Sequence, residues 1–111
     1  PQNCVVYTGT HDNDTSKGWY KSAPEVEQHR ARGYTHSDGN EINWEFIRLA
    51  MFSVADQAIT PLQDFMSLGT EDRTNVPGTS SNNWLWRYTE RDLNCVDKAR
   101  IVELIKQTNR V

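Results

Sequence analysis

The 111 residues carry 12 Lys and Arg against 15 Asp and Glu, giving a net charge of −3 and a pI near 5.5. The basic residues are scattered rather than gathered into a stripe, which argues against nucleic acid as a partner. No apolar run approaches the roughly 18 residues of a membrane span and no signal peptide is visible, so the expectation is a soluble, cytoplasmic protein without membrane contact.

In chain order, the first expected element is a strand over residues 4–8, for which Val5, Val6 and Tyr7 suit a buried setting. Gly9 gives the backbone room to turn, and His11, Asp12, Asn13 and Asp14 then stand at the strand's carboxyl end. In α/β barrels and open α/β sheets, active sites are built at such strand tips. The same four residues also read as an Asx-rich turn capping the next element, and both readings stand at this level.

Ser22, Pro24 and Glu25 offer an N-cap, a first-turn proline and a capping-box glutamate, predicting a helix over 24–32 that Gly33 stops. Its charges form a solvated face, and Asp38-Gly39 marks a turn beyond it. Over 41–57, Ile42, Phe46, Leu49, Ala50, Ser53 and Val54 recur at intervals of three and four, with Trp44, Ile47 and Phe52 widening the stripe. That pattern predicts the longest helix, packed on a sheet. A brief strand is expected over 58–63, with Gln63 and Asp64 at its tip because Pro61 cannot sit in a long central strand. A long loop over 64–88 contains Trp84 and Trp86, and a final helix over 93–108 would bury Val96, Ala99, Ile101, Val102, Leu104 and Ile105. Two strand–loop–helix units in succession predict an α/β fold with parallel pairing. Cys4 and Cys95 lack the short spacing of a zinc site or disulfide framework, so two reduced, structural thiols are expected.

Four segments in this order, TGTHDNDT with GWY, ITPLQD with Leu68-Gly69, RTNVPGT, and NNWLWR, resemble the C-terminal part of the 4-α-glucanotransferases, also called amylomaltases or disproportionating enzymes, of glycoside hydrolase family seventy-seven. The resemblance spans residues 4–88. It implies the last two βα units of a TIM-type (β/α)8 barrel and the transfer of α-1,4-glucan segments between maltooligosaccharides, with the plastid stroma as compartment should the source be a plant or alga. A whole barrel needs roughly 250 residues. The chain starts at Pro1 without an initiator methionine, directly before a strand, so a piece of a longer parent is expected.

Retaining glycosyl transfer needs a carboxylate nucleophile, a carboxyl acid/base and groups that stabilise an oxocarbenium-like transition state. The resemblance matches Asp12 to the family's transition-state carboxylate and places His11 at the same sugar. The motifs for the nucleophile and the acid/base have no counterpart in this sequence. Asn13, Asp14, Gln63, Asp64, Arg73, Asn75, Pro77, Trp84, Trp86 and Arg87 are expected substrate-binding positions, with Asp14 orienting its loop and Asp64 capping the element after it. Flat indole faces suit glucose rings and Arg and Asn suit hydroxyls, although either tryptophan could instead pack the loop. No cofactor or metal is implied: Asp12, Asp14 and Ser16 start like a calcium loop, but Lys17 stands at the turn glycine and Ala23 at the bidentate glutamate. Thr74, Phe65-Met66-Ser67 and Asn82 depart from the Met, the Leu/Gly-rich run and the Gly common in the family, which leaves acceptor preference open. The rival readings are a non-catalytic carbohydrate-binding piece and a fragment that only folds. In isolation the segment is expected to be a homo-oligomer, since two excised strands leave open edges.

Overall fold

The computed structural model describes residues 2–110. The elements are β1 (Val5–Tyr7), α1 (Ser16–Ser22), α2 (Glu25–Thr35), α3 (Ile42–Met51), β2 (Gln57–Ile59), α4 (Leu62–Phe65), a single-turn 3₁₀ helix (Thr70–Asp72), α5 (Glu90–Asn94) and α6 (Lys98–Gln107). β1 and β2 pair in parallel, with Val5 opposite Gln57, Val6 opposite Ala58 and Tyr7 opposite Ile59. A parallel pair cannot be closed by a tight hairpin, and here α1, α2 and α3 make the crossover.

The period of two sorts the strand residues by face. Val6 and Ala58 share one face, and Ala58 packs against the core; Val5, Tyr7 and Ile59 lie on the other face and are exposed. The expected buried strand is therefore buried on one side only, because the described residues place no layer over the second face.

The core gathers Trp44, Ile47 and Met51 of α3 with Leu104 of α6, flanked by Ala58, Phe65, Ile101 and Ile105. Burying an aliphatic side chain as fully as Ile42 or Ile47 contributes roughly 1.5–3 kcal/mol, so α3 is the element on which the packing rests. Arg100 binds α6 to it, donating to Glu41 at 2.6 Å while its guanidinium lies 4.6 Å from the centre of the Trp44 ring. α3 ends at Met51 rather than continuing to 57, so Phe52 and Val54 fall outside the buried stripe and are exposed. Arg110 supports the stop, donating to the Met51 carbonyl that the helix end leaves without an intrahelical partner and to the Ser53, Ala55 and Asp56 carbonyls of the segment that follows.

Other boundaries also differ from expectation. α1 occupies residues expected to be loop, and Ser22 ends it, donating back to Gly18 and Trp19 carbonyls instead of capping the next helix. α2 runs through Gly33 to Thr35 and stops at His36, which takes a left-handed φ of 54°. The expected final helix is two: α5 opens on a Thr89–Asp92 capping box, and α6 on Asp97, which accepts from the Arg100 amide. Val96 is buried at the joint, whereas Ala99 and Val102 are exposed. Cys4 is half-buried and Cys95 is exposed, so a packed role for Cys95 is corrected. Among the described residues no helix is long and apolar enough to cross a membrane.

Two helical glycines make opposite predictions. A Cβ on Gly33 would meet nothing within 4 Å, so Gly33→Ala should stabilise by up to about 1 kcal/mol through helix propensity. A Cβ on Gly18 would clash with Thr70 Oγ1 and lie 2.8 Å from the Thr70 backbone nitrogen. Overpacking costs about 1–3 kcal/mol and outweighs that propensity, so Gly18→Ala should lower the denaturation midpoint. Urea unfolding of the two variants checks both signs.

Candidate functional site at the strand tip

β1 leads into a reversal closed by the Asn13 amide donating to the Thr10 carbonyl at 3.1 Å. Asn13 Oδ1 accepts from the Thr10 amide at 2.8 Å and the Thr10 hydroxyl at 3.0 Å, so an Asx side chain shapes this turn. Gly9 is not in the left-handed region, and a Cβ there would meet its nearest neighbour at an ordinary 3.7 Å. The turn is thus made by residues 10–13 and not by Gly9. Asp14 accepts from the Thr15 amide at 2.8 Å and from Thr70 Oγ1 at 2.9 Å, and Thr15 caps α1 by accepting from the Gly18 amide. Asn13 and Asp14 therefore build the turn, while His11 and Asp12 remain about half exposed beside it, His11 Nε2 standing 3.2 Å from Asp12 Oδ2.

The segment after the 3₁₀ turn closes on this pair. Asn75 Nδ2 donates to Asp12 Oδ1 at 2.7 Å, and Arg73 donates from Nη2 to the Asp12 carbonyl and from Nε to the Asn75 carbonyl, each at 3.1 Å. The Trp84 ring lies 4.9 Å from that of His11, and the Trp84 amide donates to Thr74 at 2.7 Å. Five expected site residues, His11 and Asp12 on one loop and Arg73, Asn75 and Trp84 on the other, 61 or more positions apart in sequence, are thus in contact. The remainder of the loop is arranged differently. Trp86 pairs with Tyr88 at 5.6 Å, Arg87 donates to the carbonyls of Trp84 and Trp86, and Pro77 is exposed.

Gln63 and Asp64 lie in α4 and are buried, not at a strand tip as expected, because Pro61 ends the extended segment as the N-cap of α4. Gln63 donates to the Asp72 carbonyl and to Thr74 Oγ1, supporting the second loop from below. Asp64, 1% exposed, accepts from Thr8 Oγ1, the Ser16 amide and the Ser16 hydroxyl, all at 2.8 Å. Its backbone carbonyl accepts from Asn43, itself 1% exposed, which also donates to Ser67. Thr8 and Asn43 were not singled out in the sequence, and Ser16 only as a rejected calcium-loop position; the one available signal was the amide of Asn43 between Ile42 and Trp44.

A cleft of about 400 Å³ opens between the strand tips, with Tyr7, Ile59, Thr10, His11, Asn13 and Gln63 among its walls. It combines the uncovered apolar sheet face with amide, imidazole and hydroxyl groups, the mixture that suits a polyhydroxylated ring. Two departures from the family's usual residues also gain a physical meaning. Ser67 and Asn82 both adopt left-handed backbone, with φ of 59° and 58°, where glycine is the unstrained choice.

Residues 1–94 match the family model described as 4-alpha-glucanotransferase. The chain is 52% identical over 93 residues to the 4-alpha-glucanotransferase of Synechocystis, covering 83% of this chain and 18% of that protein. It is 42% identical over 113 aligned residues to the 4-alpha-glucanotransferase of Thermus thermophilus, covering 96% of this chain and 23% of that one. The structure of an amylomaltase from Streptococcus agalactiae in complex with acarbose superposes with a TM-score of 0.89 at 31% identity, over 98% of this chain and 22% of the other. The chain belongs to the 4-alpha-glucanotransferase family, and it spans about a fifth of the length of these relatives.

The Asn75–Asp12 bond crosses between two loops, and removing it should loosen the second one. Asn75→Ala should cost about 1 kcal/mol of local closure, raising the rate of limited proteolysis within residues 73–84 roughly fivefold. An unchanged cleavage rate would show that Arg73 and Trp84 hold the loop without it.

Proposed function

We propose that this chain is the part of a 4-α-glucanotransferase that carries the last two βα units of a (β/α)8 barrel and, with them, the transition-state carboxylate of glycosyl transfer. The observation that carries the reading is Asp12: half exposed, oriented by Asn75 through one oxygen and flanked by His11 at the other, beside a cleft at the tips of two parallel strands. A carboxylate fixed in this way needs little reorganisation when positive charge develops on the sugar, which is how an electrostatic stabiliser lowers a barrier.

The transfer is retaining in this reading. A nucleophilic carboxylate attacks the anomeric carbon while an acid protonates the leaving glucan's oxygen; the acceptor's 4-hydroxyl, deprotonated by that same group, then displaces the enzyme. Neither of those two groups is assigned to a residue of this chain. Asp12 accepts hydrogen bonds from hydroxyls of the sugar at the cleavage point, and His11 contacts the same ring. Tyr7 and Ile59 supply apolar wall, and Arg73, Asn13 and Gln63 polar wall. Asn75 acts first as the partner that aims Asp12, and Trp84 as a ring that braces His11. Trp86, Arg87 and Pro77 line the outer part of the glucan path. The substrates are α-1,4-glucans and maltooligosaccharides, with no cofactor.

Two outcomes test this. In the full-length protein carrying the segment, Asp12→Asn keeps size and hydrogen bonding, and kcat on maltotriose should fall by at least roughly 10²-fold with little change in unfolding midpoint. A near-normal kcat would leave the site structural only. The 111 residues alone should release no glucose from maltotriose, because two of the three carboxyl functions are supplied from outside them.

A further inference from the structure

We propose that Asp64 is a positioning residue for glycosyl transfer, holding the loop that carries His11 and Asp12 by gripping it at both ends. The inference rests on Asp12 being the transition-state carboxylate and extends that role's support to a residue with no access to a sugar.

Asp64 comes from α4, after β2, whereas Thr8 and Ser16 belong to the chain leaving β1; 56 and 48 residues separate them in sequence. Thr8 immediately precedes residues 9–15, and Ser16 stands directly after them. Three hydrogen bonds of 2.8 Å on one carboxyl group therefore close the loop's two ends to a fixed separation. The anchor cannot drift, because the Asp64 carbonyl accepts from Asn43 at 2.7 Å and Asn43 is sealed in α3, the best-packed helix. Order thus passes from the core through Asn43 and Asp64 to the loop, and the loop's own turn sets Asp12. A misplacement of about 1 Å at a reacting group costs about 10²-fold in rate, so such a brace contributes to turnover without touching substrate.

The chemistry of the contacts separates this role from bulk stabilisation. Asparagine at position 64 keeps an acceptor for the Ser16 amide and presents an NH₂ to the Thr8 and Ser16 hydroxyls, each of which can turn to accept. Alanine keeps none of the three bonds.

The experiment compares Asp64→Ala, Asp64→Asn and Ser16→Ala in the full-length protein carrying this segment, with kcat expressed per folded molecule. For Asp64→Ala, kcat on maltotriose should fall about 10²-fold with KM nearly unchanged, and the Asn13 amide should exchange about tenfold faster. Asp64→Asn should recover most of both losses, and Ser16→Ala should lie between. A lowered melting temperature with kcat per folded molecule and Asn13 exchange as in the wild type would overturn the proposal, as would an Asp64→Asn variant no better than Asp64→Ala. If the wild-type protein itself transfers no glucan, the functional reading falls, and the Asn13 exchange rate alone then decides whether Asp64 anchors the loop.

Discussion

A carboxyl group shut away from water is the constraint around which this fold is arranged. Asp64 is 1% exposed, and leaving a buried polar group without partners costs several times what an ordinary hydrogen bond contributes. Every element near it answers to that cost. α1 must begin at Ser16 with its amide turned inward, β1 must deliver Thr8 alongside, and α3 must bring Asn43 to the carbonyl. Gly18 is a consequence, since α1 starting at this point passes so close to Thr70 that no side chain fits. Among the described residues no buried side-chain nitrogen or oxygen lacks a partner.

The parts of this arrangement that were legible in the sequence are those written in local periodicity or punctuation. Parallel pairing of two strands could be read from the order of apolar runs, and α3 from residues recurring every three or four positions. Its true end was hidden, because the group that supports the stop is Arg110, more than fifty residues away, reaching back to four carbonyls. α1 was hidden for a related reason: SKGWYKS has poor helix propensity and is held by the Thr15 cap and its fit against the 3₁₀ turn. Capping chemistry was read correctly in kind but not in place, since Ser22 closes a helix from its last turn and Pro24, without a side-chain bond, opens the next.

The site obeyed the same division. Residues 11–14 and the segment around Arg73 and Asn75 were expected site positions from motifs that resemble a known family; the contacts of Asp12 with Arg73 and Asn75 that bring the two segments together were not legible. Inward or outward orientation could not be read. Asp12 and Asp64 are both carboxylates near strand ends, yet one is half exposed and the other sealed, because α4 rather than a strand carries Asp64 inside.

The left-handed backbone of the second loop bears on how firmly that loop holds its shape. Asn82 and Trp84 take φ of 58° and 60°, and for a residue as bulky as tryptophan this conformation costs about 1–2 kcal/mol. The ring contact with His11 returns about 0.5–1.5 kcal/mol and the hydrogen bond to Thr74 a similar amount. Gains and strain at Trp84 are of one size, so the tryptophan adds little net stability and the loop is held chiefly by the bonds of Arg73, Asn75 and Gln63. The placing of the indole is then conditional on the imidazole, and a change at His11 is felt first at Trp84, at the far end of a loop anchored elsewhere.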